Sequence, residues 1–258
     1  MRLAVLTGLL FLHGTSSATA AGFAHNASFM VFSPAEPSQE QGQLVAEYVL
    51  TRAEELRSEI AEQWLGEAIP AGIGRTSINV SFIPGEESAL TWAKDHPDRT
   101  LHKVYLRTTP DRVQQAVEEM LPHEMVHVVL ATRFPHPNRL PVWIEEGIAS
   151  RYDDAERMAV RRDTVRWWAQ TQNWPKLASL FGAKRLHAND ASGYAAAASL
   201  VEYLLSQKDE STLLAFARDG QEGGWDSALK THYHIADTTR LQSQWQSWIS
   251  QVDRVAVQ

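Results

Sequence analysis

The feature that most constrains this chain is a pentapeptide, His123-Glu124-Met125-Val126-His127, set inside an apolar stretch of helical period. Val113, Val117, Met120 and Leu121 lead into it and Val126, Val129 and Leu130 continue it, so the stretch reads as a helix packed on a core. Residues four apart on a helix project from one face. His123 and His127 can therefore offer two imidazoles to one tetrahedral metal, zinc by preference, while Glu124 leans over the position of a water. Catalytic zinc normally takes three protein ligands, so a third donor has to follow. Eighteen residues, 128–145, separate His127 from Glu146, which lies in Trp143-Ile144-Glu145-Glu146-Gly147-Ile148-Ala149. By chance the pentapeptide is expected about 0.03 times in a chain of this His and Glu content, and about 0.002 times with a later glutamate at one fixed position.

Periodicity does not choose between Glu145 and Glu146. Adjacent helical residues point about 100° apart, so at most one faces the metal helix squarely. Gly147 favours Glu146, because a residue without a side chain there lets its helix lie close to the one bearing His123 and His127. Pro122 poses a second open question. In a helix interior it costs about 3 kcal/mol, so either the helix kinks there or a new one begins with Pro122 in its first turn.

The pentapeptide, the eighteen-residue gap and the Trp-Ile-Glu-Glu-Gly-Ile-Ala segment resemble the gluzincin metallopeptidases, in particular the compact peptidase MA-like domains and, more distantly, the aminopeptidase N-like enzymes. The resemblance runs from about Asp111 to Ile249. It implies that His123, His127 and Glu146 ligate zinc and that Glu124 is the general base. Gly193-Tyr194-Ala195 resembles the helix start that carries an oxyanion-stabilising tyrosine, which implies that role for Tyr194. No Gly-x-Met-Glu-Asn segment precedes His123, so the anchor for a free amino terminus is missing and endopeptidase action is favoured. The family also implies an edge strand that pairs with extended peptide, and the residues considered for it are Val104 to Arg107.

The first residues carry Arg2, the apolar run Leu3 to Leu12 and a small-residue stretch ending Ala18-Thr19-Ala20-Ala21. This reads as a secretory signal peptide over 1–21, since the run is too short to span a membrane. Residues 22–258 then form one peptidase MA-like catalytic domain, expected outside the cell or in a periplasm. No later stretch reaches eighteen uninterrupted apolar residues, so no transmembrane segment is expected after signal removal. The chain has no cysteine, which leaves core packing and metal to stabilise it in an oxidising compartment. Loss of Arg2 moves the formal charge from −7 to −8, and so acidic a chain argues against nucleic acid as a partner.

Along the chain, Ala27 to Phe32, Ile78 to Phe82 and Leu101 to Arg107 read as strands. Ser38 caps a long helix whose apolar face includes Leu44, Val45, Tyr48, Val49, Ala53, Leu56, Ile60 and Trp64, with Glu54, Glu55, Arg57 and Glu62 opposite. Pro141 begins the helix of Glu146. Asp153 to Trp168 is a helix whose Arg157, Arg161, Arg162 and Arg166 read as a salt-bridged face. Tyr194–Leu205, Leu213–Ala217, Ala228–Thr231 and Leu241–Val252 complete the helices, with a loop at Gly220 to Gly224 and Trp245 and Trp248 in the core. His232 and His234 have no third metal partner in sequence.

These readings add up to an α+β fold, with a small sheet-containing N-terminal lobe, a mainly helical C-terminal lobe and zinc in the cleft between them. The expected activity is zinc-dependent hydrolysis of peptide bonds, with peptide or protein as substrate. Two alternatives stay open: a binding or scaffold protein that keeps the fold without turnover, and an enzyme acting on another amide such as one in a cell wall.

Overall fold

The computed structural model describes residues 22–85, 87–96, 99–187 and 189–255. The signal peptide expected over 1–21 lies outside the described residues. The chain begins with two short antiparallel strands, β1 (Gly22–His25) and β2 (Phe29–Ser33). Asn26 closes their turn, its side-chain oxygen accepting from the backbone of Ser28 and Phe29. Helix α1 (Gln39–Leu65) then crosses to β3 (Thr76–Phe82), which pairs in parallel with β2. Ser38 caps α1 by accepting from Gln41 N, and Gly66 ends it in the left-handed region at φ 70°.

Strands β4 (Ser88–His96) and β5 (Arg99–Thr108) complete a five-stranded sheet of order β1-β2-β3-β5-β4. One face is buried through Phe29, Val31, Ile78, Val80, Val104 and Leu106. Strand β5 lies between β3 and β4 and pairs with both. Val104 to Arg107 therefore have no open edge, and the expectation that they pair with a substrate is corrected: the edge strand on that side of the sheet is β4. β4 escapes sequence reading because Ala89 and Ala93 stand where β-branched residues would signal a strand.

Within α1, Val49, Ala53, Leu56, Ile60 and Trp64 are buried as the spacing predicts. Leu44 is not: it is exposed, and the buried face runs instead through Gly42 and Ala46. Arg57, expected on the charged face, is buried instead. Its guanidinium donates to the carbonyls of Ile69, Pro70 and Ile73, which fixes the loop that leads into β3.

After a 3-10 turn at Pro110–Arg112, the chain is helical: α2 (Val113–Glu119), α3 (Leu121–Arg133), α4 (Val142–Ala149), α5 (Ala155–Thr171) and α6 (Leu177–Phe181). There follow α7 (Ala191–Gln207), α8 (Glu210–Gly223), α9 (Trp225–Tyr233) and α10 (Thr238–Val255). The fold is thus α+β, with its sheet on the N-terminal side. The loop expected at Gly220 to Gly224 is helix up to Gly223, and the glycine at 220 is there for packing: the Trp225 ring lies where a side chain would be. Trp245 is fully buried, and Trp248 is partly buried against Tyr203.

Candidate metal centre

Pro122 occupies the first turn of α3, a helix separate from α2, and so settles the question left open by sequence. In that turn proline removes no hydrogen bond the helix needs. The break at Met120 re-aims the chain just ahead of His123. Both histidines then face the cleft, and Glu124 is buried one residue beyond the first of them.

His123 Nε2 and His127 Nε2 are 3.3 Å apart, and Glu146 Oε2 lies 3.6 and 3.7 Å from them. A tetrahedral ion with bonds of about 2.0–2.1 Å separates its ligands by about 3.3–3.4 Å, so this spacing fits a metal. Glu146 Oε2 is buried without a hydrogen-bond partner, as a carboxylate oxygen intended for an ion would be. Among the described residues this is the one group of three such donors that converge. His232 instead meets Asp219, its Nε2 2.7 Å from the carboxylate.

The electrostatics favour the ligating forms. Burial, with help from His123, pushes the His127 imidazole below its ordinary pKa and so toward neutrality. Burial alone would raise the Glu146 carboxyl, but His123, His127 and Arg161 together hold it below the usual range.

Glu145 points elsewhere. It borders the cleft with one buried, unpartnered oxygen, and burial pushes its carboxyl up to about 8 against the opposing pull of Arg139. Gly147 allows a close approach, but not the one expected. A side chain there would meet Val201 Cγ2 at 2.5 Å and the Ala197 carbonyl at 2.6 Å, so the glycine seats α4 against α7 rather than α3. This seating brings Tyr194, at the start of α7, to the cleft beside Glu146. Asp190 caps α7 by accepting from Gly193 N. Burial and the Glu146 carboxylate push the Tyr194 phenol up to about 12, so it is a hydroxyl donor throughout the physiological range.

Sequence reading missed Asp153. Its carboxylate is wholly buried, with Oδ1 3.0 Å from His123 Nδ1 and the guanidinium groups of Arg157 and Arg161 against it. A carboxylate charge this near Nδ1 favours the tautomer that carries its proton there and leaves Nε2 free. Arg161 also lies over the Tyr194 ring, 5.6 Å from its centroid, so one side chain touches both the Asp153 carboxylate and the tyrosine. The salt-bridged face expected for the arginines is present, with Arg157 and Arg161 on Asp153 and Arg166 on Asp163, but Arg157 and Arg161 also line the cleft.

The cleft encloses about 950 Å³ and is bordered by β4, α2, α3, α4, α5 and α7. Thr91 of β4 donates to the Glu124 carbonyl, 3.2 Å away, which ties the edge strand to the first turn of α3. No protein-family model matches this sequence, and no curated protein matches it either. The residues themselves therefore carry the functional argument.

Proposed function

We propose that this protein is a zinc-dependent metallopeptidase acting on peptide or protein substrates outside the cytoplasm, with endopeptidase action favoured. The observation that carries the reading is the convergence of His123, His127 and Glu146 with Glu124 set between the two histidines on α3. A binding site alone has no need of Glu124, whereas hydrolysis does.

His123, His127 and Glu146 would hold a zinc ion, which when bound would supply the Lewis acidity that polarises a carbonyl and acidifies water. Glu124 takes the proton of the attacking water and later gives it to the leaving amine. Tyr194 donates a hydrogen bond from its hydroxyl to the oxyanion that develops as the carbonyl carbon becomes tetrahedral. Asp153 keeps His123 in the tautomer and orientation that the metal requires. β4 ends the described sheet beside Glu124, and its free edge suits main-chain pairing with an extended peptide.

The test is metal content measured together with cleavage of a mixed peptide library, with and without chelator. Stoichiometric zinc and chelator-sensitive cleavage are expected. Bound zinc with no cleavage of peptides or of cell-wall amides would favour the non-catalytic binding protein.

A further inference from the structure

The helices pack on one face of the sheet, and the opposite face carries two rows of side chains that cross all five strands. Pairing registers put Phe23, Phe32, Asn79, Tyr105 and Leu90 in one row and His25, Met30, Ser77, Lys103 and Trp92 in the next. Directly paired residues share a face, so these ten positions form one surface about 19 Å wide, at about 4.8 Å per strand. Six of the ten are apolar, and Leu90 is 62%, Trp92 47%, Phe23 44% and Tyr105 37% exposed. A sheet face left to water normally carries polar residues. None of the ten is acidic, in a chain with 31 Asp and Glu and a net charge of −7, and Lys103 adds an exposed ammonium to the patch.

We propose that this outer sheet face docks the protein on an anionic membrane surface, with Trp92, Tyr105 and Leu90 entering the headgroup region and Lys103 meeting lipid phosphate. Tryptophan and tyrosine prefer that boundary, where one end of the side chain is apolar and the other wet, and lysine extends to the charged layer. A second copy of the chain fits less well, since face-to-face stacking would bury two lysines without a carboxylate in either patch to receive them. Among the described residues no helix is long and apolar enough to cross a membrane, so the contact is peripheral. Leu90 also borders the cleft, which sets the docked face next to the metal centre. The proposal does not depend on the site being hydrolytic.

The experiment is co-sedimentation of the full chain with vesicles of phosphatidylcholine alone or with 30% phosphatidylglycerol, alongside the paired variant L90S/W92S, K103E and the control W167S. Trp167 is exposed to a similar degree but sits on α5. The parent and W167S should bind the anionic vesicles more tightly than the neutral ones. L90S/W92S and K103E should each weaken binding by about tenfold or more, with unchanged circular dichroism. K103E alters one exposed side chain and carries the test if the paired variant does not fold. Failure of the parent to sediment, or equal sedimentation of parent and folded variants, overturns the proposal, the latter because any affinity residing in residues 1–21 is common to all. A parent that ignores vesicles and runs as a dimer split by L90S/W92S also overturns it and assigns the face to a second copy.

Discussion

Asp153 lies behind a candidate ligand and Glu124 outside the donor set, so the proposed site can be taken apart one residue at a time. Glu124 is not among the converging donors, so Glu124→Gln should keep zinc at parental stoichiometry. Its turnover should fall by about 10²–10⁴-fold through loss of the base. Asp153→Asn keeps an oxygen for His123 but loses the charge that holds it, and zinc affinity should drop by about 10–100-fold in competition with a chelating dye. Glu146→Ala should lose zinc at micromolar free metal and Glu145→Ala should retain it; the reverse would assign the third ligand to Glu145. Tyr194→Phe should fold and bind substrate as the parent does, with kcat lowered by about 10²–10³-fold. At this scale, sequence spacing reveals the two histidines and Glu124 because one helical turn fixes their geometry. Asp153 is silent in sequence. It stands among Asp154, Glu156 and Asp163, and only the packing of the 3-10 turn Ser150–Tyr152 against α3 selects one of the four to lie behind His123.

The helices that carry the site are placed by small features whose partners lie far away in the chain. Pro122 signals a boundary in either conformation open to it, but the new helix at Leu121 depends on how α2 meets the sheet. Gly147 is visible as a close approach, yet its partner is α7, fifty residues on, and no local pattern names it. Gly147→Ala tests the consequence. The added methyl would press on the Val201 side chain and the Ala197 backbone, and the backbone cannot give way as a side chain can. Overpacking of this kind costs about 1–3 kcal/mol, so denaturant unfolding should show that loss, with partial recovery in Gly147→Ala/Val201→Ala. Gly223, at the end of α8, has nothing within 4 Å of an added Cβ, so Gly223→Ala should be neutral or stabilising by up to about 1 kcal/mol. Equal effects at the two glycines would mean that α4 and α7 are not in close contact. Strands β1 and β4 went unread for a related reason. At the sheet edges their pairing is one-sided, and their sequences, Gly-Phe-Ala-His and Ser-Ala-Leu-Thr-Trp-Ala-Lys-Asp-His, alternate weakly.

For the molecule as a whole, the α+β class was legible because helical and strand periodicities occupy different parts of the chain. The one-sided sheet was not, since it follows from how β1 and β4 pair. The same global arrangement makes the metal a candidate for holding the fold together. The three donors come from α3 and α4, Asp153 joins α3 to the start of α5, and Gly147 locks α4 to α7, so an ion held by the three donors would tie four helices to one point. No cysteine is present to cross-link them, and burying His123, His127 and Glu146 close together without an ion leaves Glu146 Oε2 unpartnered. A ligand that binds the folded chain alone stabilises it by about 2.7 kcal/mol at 100 times its dissociation constant. Chelation should therefore lower the thermal midpoint by several degrees, and added zinc should restore it. A thiol reductant should do nothing. The Glu146→Ala protein, already without metal, should unfold at one temperature with or without chelator, whereas Glu124→Gln should respond as the parent does. If parent and Glu146→Ala respond alike to chelator, the stabilising ion sits elsewhere and these three residues do not hold it.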